Sequence, residues 1–395
     1  MLRRDGRFKS PSGITTKWYR ASSESLEQQW HDWVKAESFK RLACRLFLHD
    51  TNTSISLLVN PLVSYVEFTT QLPHTSDLWT ATTAESWISK YELLDHTRTL
   101  TTASLLSNPQ CIYTHAKSID VGVAALAGLS AAWGLVWQSI SLNTLQRQEP
   151  GPWNTMVTAS RLDELAKLLN GMRISIASSP SLPKDITMRS DLNLLHLYMP
   201  LEEIQVFAGS EGPERARSVH GSILKWVKSE SSRRALFHAG QILRSAKLLP
   251  AGTIRGPNAI MIYHASLAFW VHCVLYEREA RHRPQEKGTA TNLQHEHETP
   301  LVRVDADDSL EVQRFLLSGI GQPCIRSFAH SEDQYEDIES SEVNISVQDG
   351  YGIMSSIMRI LRENFKDHNM PRLATKLLHL MTSLRKSCQI AFTDS

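Results

Sequence analysis

Between Val121 and Trp137 the chain reads VGVAALAGLSAAWGLVW, with no charge and a single side-chain hydroxyl, that of Ser130. A helix of this sequence is apolar on every side. Only the core of a large soluble domain or a membrane leaves such a helix no face for water. The run is closed by Asp120 and Gln138 and about half of it is Ala and Gly, whereas a span wants about 20 residues with leucine-like bulk. It therefore reads as a buried helix of a soluble body, and no membrane partner is expected. Its small residues let neighbours approach closely, so four or five helices should pack around it.

At 395 residues the length suits about two to three domains, although a helical array runs longer as one unit. Lys and Arg number 42 against 41 Asp and Glu, a formal charge of +1. No global basic field exists to hold phosphates, and any nucleic-acid contact needs a local patch. Cys44, Cys111, Cys273, Cys324 and Cys388 are widely separated and odd in number, the pattern of free, buried thiols in a reducing compartment. The opening MLRRDGRFKSPSG has no apolar core, so no secretory signal is expected, and the glycosylation-like triplets at Asn52 and Asn344 read as chance matches.

Residues 1–25 form a basic tail, expected to be disordered. The helical body is expected over 26–283. It begins with Phe39, Leu42, Ala43, Leu46 and Phe47 at helical spacing, with Trp30 and Trp33 on an adjacent stripe and Glu37 four residues before Arg41. Asn60 to Phe68 reads as helix or irregular. Thr82 precedes Glu85 by three, a capping-box spacing ahead of Trp87, Tyr91 and Leu94. After Pro150-Gly151-Pro152, Leu162, Leu165, Ala166, Leu168 and Leu169 form an apolar side, with Gly171 as a stop. Further helical runs continue to Arg283. Residues 284–347 turn polar and acidic and read as a mostly disordered insertion, with a short helix from Leu310 to Ile320. Residues 348–395 hold a helix pair, Tyr351 to Phe365 and Arg372 to Ser387, expected to pack back on the main domain. No repeat and no strand run is apparent. The fold class is all-α, a multi-helix irregular bundle or superhelical array with a disordered acidic insertion.

Five blocks follow one another along the chain: WHDWVKAESFKRLACRLFLHD with Glu37, Arg41 and Asp50; LPHTSDLWTATTAESW; LAGLSAAWGL; SSRRALFHAGQIL with NAIMIYHASLAFWVHCVL; and DGYGIMSSIMRIL. In their order and spacing the chain resembles the fungal-specific transcription factor regulatory domain, the middle homology region of fungal zinc-finger transcription factors, over most of Trp30 to Leu384. The resemblance implies a nuclear regulator of RNA polymerase II target genes, not an enzyme, partnered by a coactivator or a related transcription factor. In that family zinc fingers read DNA. No cysteine precedes Trp30, and four ligands must converge on each zinc. The expectation is a regulatory body without its reader: no cofactor in this chain, zinc only in a missing finger module, and DNA reached only through that module or a partner. The alternative is a finger-less helical interaction protein that never contacts DNA; an all-α enzyme is a weak third.

Candidate chemistry is sparse. His295-Glu296-His297 places two imidazoles in a polar loop but lacks the spacing of a zinc-protease helix. Asp305, Asp307 and Asp308 suggest a magnesium-binding run, yet read better as a solvated acidic stretch. His238 and His264 are lone helical histidines with no nucleophile and no orienting carboxylate alongside. No catalytic, metal or cofactor residue is assigned, and DNA-binding residues are unknown. Trp30, Trp33, Trp79, Trp87, Trp133, Trp137 and Trp270 either fill the core or line a cavity for a small-molecule effector; filler is the commoner role. Ser331 to Glu342 scatters acids around Tyr335 and Ile338, the pattern of an activation segment, but with so few hydrophobes it reads as linker. Arg278, Arg281 and Arg283 are interleaved with Glu277 and Glu279. The chain alone is not expected to bind duplex DNA specifically, and SSRRALFHAGQILRSAK is the first place to look if it does.

Overall fold

The computed structural model describes residues 25–94, 100–148, 155–179, 182–282, 300–328 and 342–393. Fifteen helices and one small three-stranded sheet carry these residues, so the all-α class holds. Contacts gather the chain into two compact units, Met1–Asn193 and Leu194–Ser395. The stretch read from the sequence as one helical body is therefore divided within a helix.

The first unit contains α1 (Leu26–Leu57), α2 (Ser76–Trp79), α3 (Ala84–Tyr91), α4 (Thr102–Ser107), α5 (Cys111–Thr114), α6 (Val121–Gln148), α7 (Thr155–Ala177) and most of α8 (Lys184–Tyr198). The central apolar run is the first half of α6. Helices α1, α4, α5 and α7 pack on it, and Ala124, Ala131, Trp133 and Val136 are each 0% exposed. Its small residues are used as expected: a Cβ on Gly134 would lie 2.6 Å from the Tyr65 ring, and one on Gly128 3.0 Å from Leu105. Two stretches, Val121–Arg147 and Pro257–Leu275, are long and apolar enough to cross a membrane, but both are mostly covered by protein, as core helices are.

Helix α1 starts where the Ser25 side chain accepts from the Gln28 amide. Its buried stripe runs through Trp33, Glu37, Cys44, Phe47 and Thr51. Leu42 and Leu46, placed on the core stripe by the sequence reading, are instead 52% and 36% exposed. The stripe is rotated because Glu37, a carboxylate, occupies the centre of the buried face. Asn60 to Phe68 is irregular; the Asp50 carboxylate accepts from the Leu62 and Val63 amides at 3.1 and 2.8 Å, and Phe68 stacks on Phe47 with centroids 4.4 Å apart. The cap of α3 is Thr83 rather than Thr82, accepting from the Ser86 amide at 3.2 Å. Gly171 does not stop α7, which continues to Ala177.

The second unit takes the end of α8, then α9 (Leu201–Phe207), α10 (Pro213–Val227), α11 (Glu230–Lys247), α12 (Pro257–His282), β1 (Leu301–Arg303), α13 (Leu310–Ser318), β2 (Gln322–Phe328), β3 (Glu342–Ser346), α14 (Gly350–Asn364) and α15 (Arg372–Thr393). Helix α12 is its axis, packed by α11, α14 and α15. The sheet order is β1-β2-β3, with β1 parallel to β2 and β3 antiparallel to it. A parallel pair needs a crossover, and α13, ended by Gly319 at φ 73°, supplies it. This corrects the expectation of disorder for 300–309, 319–328 and 342–347, while α13 falls where the short helix from Leu310 to Ile320 is expected. The strands escape notice because β1 spans three residues and β2 opens on Gln322-Pro323, but Val302, Cys324 and Ile325 are buried. Gly240 of α11 lets this segment close in: a Cβ there would sit 2.4 Å from the Val304 carbonyl oxygen, and the neighbouring Gln241 amide donates to the Val304 and Ala306 carbonyls.

Candidate functional site

In the first unit, polar chemistry concentrates where α1 meets the segments leading into α3 and α6. Glu37 is 1% exposed. Its carboxylate accepts from the His74 amide at 2.8 Å and meets His74 Nδ1 at 3.0 Å, with Lys40 Nζ and Arg41 Nε each 3.4 Å away. Burial pushes its pKa up, but the His74 hydrogen bond and the charges of Lys40, His74 and Arg41 outweigh that and hold it below the usual range. Arg41 donates onward to Asp120 Oδ2 at 2.9 Å and to the His74 carbonyl at 2.7 Å. Ser76 donates to the same Asp120 oxygen, while Asp120 Oδ1 accepts from the Val123 amide, placing a negative charge at the start of α6 where the helix dipole favours it.

Aromatic rings surround this network. The Arg41 guanidinium lies 5.0 Å from the centroid of Trp79, within cation–π range, and Trp33 is 5.7 Å from Trp87 and 6.4 Å from Trp79. Two sequence blocks are thus tied together, Trp33, Glu37 and Arg41 from the first and His74, Ser76, Trp79 and Trp87 from the second, and Asp120 ties both to the start of α6. Such an arrangement holds helices in register. A carboxylate already saturated by cations is a poor proton shuttle, and burial followed by the Glu37 charge pushes the nearby Cys44 thiol up to about 12, so it is no nucleophile.

Of the seven tryptophans singled out in the sequence, Trp33, Trp87, Trp133 and Trp270 are core residues, while Trp30, Trp79 and Trp137 are half-buried. Trp33, Trp87 and Trp133 are fully buried, Trp133 donates to Ser54 Oγ at 2.9 Å, and Trp270 donates to Ser387 Oγ at 3.0 Å. A groove of about 600 Å³ does run between α6 and α7, but its walls are Leu135, Leu142, Val157, Leu165 and Leu168 with Gln138, Asn143, Arg161 and Glu164, and none of the seven tryptophans.

In the second unit His264 is not alone. Its Nδ1 lies 3.1 Å from His196 Nε2, and both rings are buried. Burial holds His264 down to about 3, and burial with the His264 charge holds His196 well below its ordinary value, so one neutral ring donates and the other accepts. His238 is 4% exposed and stacks parallel to Tyr198. His272, missed in the sequence, bonds Ser232 Oγ and is held down to about 4 by burial and then by Arg233. Among the described residues no carboxylate bonds His272, and Ser232 is 0% exposed, so this pair has neither an orienting acid nor an open hydroxyl. Only His196 carried a signal in the sequence, an imidazole set among leucines in LLHLY.

Of the three aspartates, Asp305 is a correction. Asp305 is 4% exposed and paired with Lys247 at 2.9 Å, while it accepts from the Arg326 amide; Asp307 pairs with Arg244 at 2.6 Å and Asp308 accepts from Gln313. Asp305 thus fastens α11 to the sheet, while Asp307 and Asp308 stay exposed as a solvated run would be. The same contacts occupy α11, the SSRRALFHAGQILRSAK helix: Arg233 donates to the Leu316 and Leu317 carbonyls and Arg234 pairs with Glu230. All four of its cations are engaged within the protein. Among the described residues no three His, Cys, Asp or Glu side chains converge as a metal set. His295-Glu296-His297, the basic tail before Ser25, Arg283 and all but the last residue of the acidic segment lie outside the described residues.

The geometry defines a helical scaffold whose buried polar groups serve packing. The description "Fungal specific transcription factor domain" matches residues 1–128, the stretch that contains the Glu37 network and enters α6. The resemblance carried by the sequence blocks is therefore shown, and a transcription-factor likeness points away from an enzyme. The chain is 25% identical over 364 residues to a transcription factor of Zymoseptoria tritici, covering 81% of this chain and 37% of the relative. It is 23% identical over 328 residues to Transcription factor 1 of Elsinoe fawcettii, covering 76% of this chain and 32% of that protein. The chain thus spans about a third of the length of these curated relatives. No solved structure matches it.

Proposed function

We propose that this chain is the helical regulatory body of a fungal-type transcription regulator. It acts in the nucleus on RNA polymerase II target genes through a coactivator or a related regulator, and DNA is reached by a module or partner other than the helices described above. The observation that carries the reading is the coincidence of the family match over residues 1–128 with the Glu37–Arg41–Asp120 network that binds the sequence blocks together. The commitment of every α11 cation to internal partners supports the DNA part, because specific readout needs side chains free to meet base edges.

The test tethers the full chain to an unrelated DNA-binding module and measures a reporter in a fungal cell. Output should move, up or down, relative to the module alone, and a tagged chain should concentrate in the nucleus. Unchanged output together with cytoplasmic retention would sink the proposal. In a gel shift at about 150 mM salt, where non-specific binding is already weak, the isolated chain should show no sequence preference. Selective sub-micromolar binding would overturn the DNA part alone.

A further inference from the structure

The end of α6 and the beginning of α7 carry exposed apolar side chains. Leu142, Leu145, Val157 and Met156 are 39%, 44%, 46% and 80% exposed. The groove between the helices runs from Leu135 to Gln146 on the α6 side and from Val157 to Leu168 on the α7 side. Each wall is about 17 Å long at a rise of 1.5 Å per residue. A helical segment of that length fits it, and Val157 to Leu168 of α7 is itself such a segment.

Along α7, Val157, Arg161, Glu164 and Leu168 follow one another at spacings of four, three and four, which puts them on one stripe. The stripe reads the same from either end except that the charges exchange sign. Two α7 helices laid antiparallel, with the twofold axis between Leu162 and Asp163, set Arg161 of each copy against Glu164 of the other and Val157 against Leu168. Arg161 and Glu164 are both exposed, and neither makes an ion pair or side-chain hydrogen bond among the described residues. We propose that this face binds a second copy of the chain, the α7 stripe of each copy seated along the α6–α7 groove of the other. The contact is isologous, as a twofold dimer requires. At about 17 Å in length it lies at the small end of specific interfaces, so association in the micromolar range is expected.

Sedimentation velocity of the full chain from about 1 to 100 μM reads the proposal. The parent chain should pass from monomer to dimer across that range. R161E gives an all-acidic stripe and E164R an all-basic one, so each should weaken self-association about tenfold or more. Mixed together, the two variants should form a heterodimer, and R161E/E164R should associate like the parent. Both sites are exposed, and unchanged circular dichroism confirms folding. A chain that stays monomeric throughout, as it would if a small molecule or another part of the chain filled the groove, overturns the proposal. So does a dimer that both single variants retain, or a mixture that fails to pair.

Discussion

Glu37 in the first unit and the His196–His264 pair in the second are buried titratable groups handled in opposite ways. The first keeps a charge in its core: Glu37 is ionised because Lys40, Arg41 and His74 converge on it. The second keeps its buried histidines neutral: His264 and His196 are uncharged and satisfy one another, and its buried carboxylate, Asp305, is paired at the sheet with Lys247. Withdrawing a counter-ion leaves a charge stranded, whereas adding a proton creates a charge where none has a partner. The first unit should therefore be sensitive to substitution at its network and the second to acid.

Acid is the largest lever. His264 titrates at about 3 in the folded chain and near 6.5 unfolded, so the unfolded chain binds the proton first and stability falls as pH drops from about 6.5. The loss is about 1.4 kcal/mol per pH unit, or about 3 kcal/mol by pH 4.5, and His196 and His272 act in the same direction. Glu37 has a lowered folded pKa, so its contribution begins to fade only below the unfolded value near 4.5. Hydrogen exchange on α12 should rise between pH 6.5 and 4.5 while exchange on α1 stays protected; simultaneous loss would erase the contrast.

Arg41→Met tests the other half. It deprives Glu37 and Asp120 of a shared cation and should cost about 3 kcal/mol, read as a lower urea midpoint for the tryptophan signal, with α12 exchange unchanged. A shift under 1 kcal/mol would mean that Lys40 and His74 suffice. Within the second unit, Asp305→Asn removes the charge facing Lys247 but keeps the shape, and should cost about 2 kcal/mol. Faster exchange confined to β1, β2 and the end of α11 is the expected signature, and protection there equal to the parent's would count against the tether. The smallest effect belongs to Gly134→Ala, whose Cβ meets the Tyr65 ring. Because Tyr65 sits in an irregular segment that can shift, about 1 kcal/mol is expected, measured by thermal melting; no change in midpoint would show that the ring moves freely.

What the sequence disclosed was what composition and order encode. Val121 to Trp137 announced its burial because it holds no charge and a single hydroxyl, and the five blocks were legible through their order and spacing along the chain. The azimuth of α1 was not legible, since Glu37 is buried only by virtue of His74 and Arg41, which lie one turn and a loop away. Nor was the sheet: Leu301–Arg303 is too short to show alternation, and Asp305 looks solvated until Lys247 arrives from 58 residues earlier in the chain. The histidine pair joins residues 68 apart, a relation that no local pattern records.

Gly240 also sets a problem of timing. The surface of α11 that it opens is covered by Val304, and the sheet residues beyond it, Cys324 and Ile325, come later still. On a ribosome adding about 5–20 residues per second, α11 is complete for several seconds before its cover exists. During synthesis its apolar flank is exposed to the cytosol, so nascent chains halted before β2 are the ones a chaperone should hold longest, and release should follow once β2 has emerged.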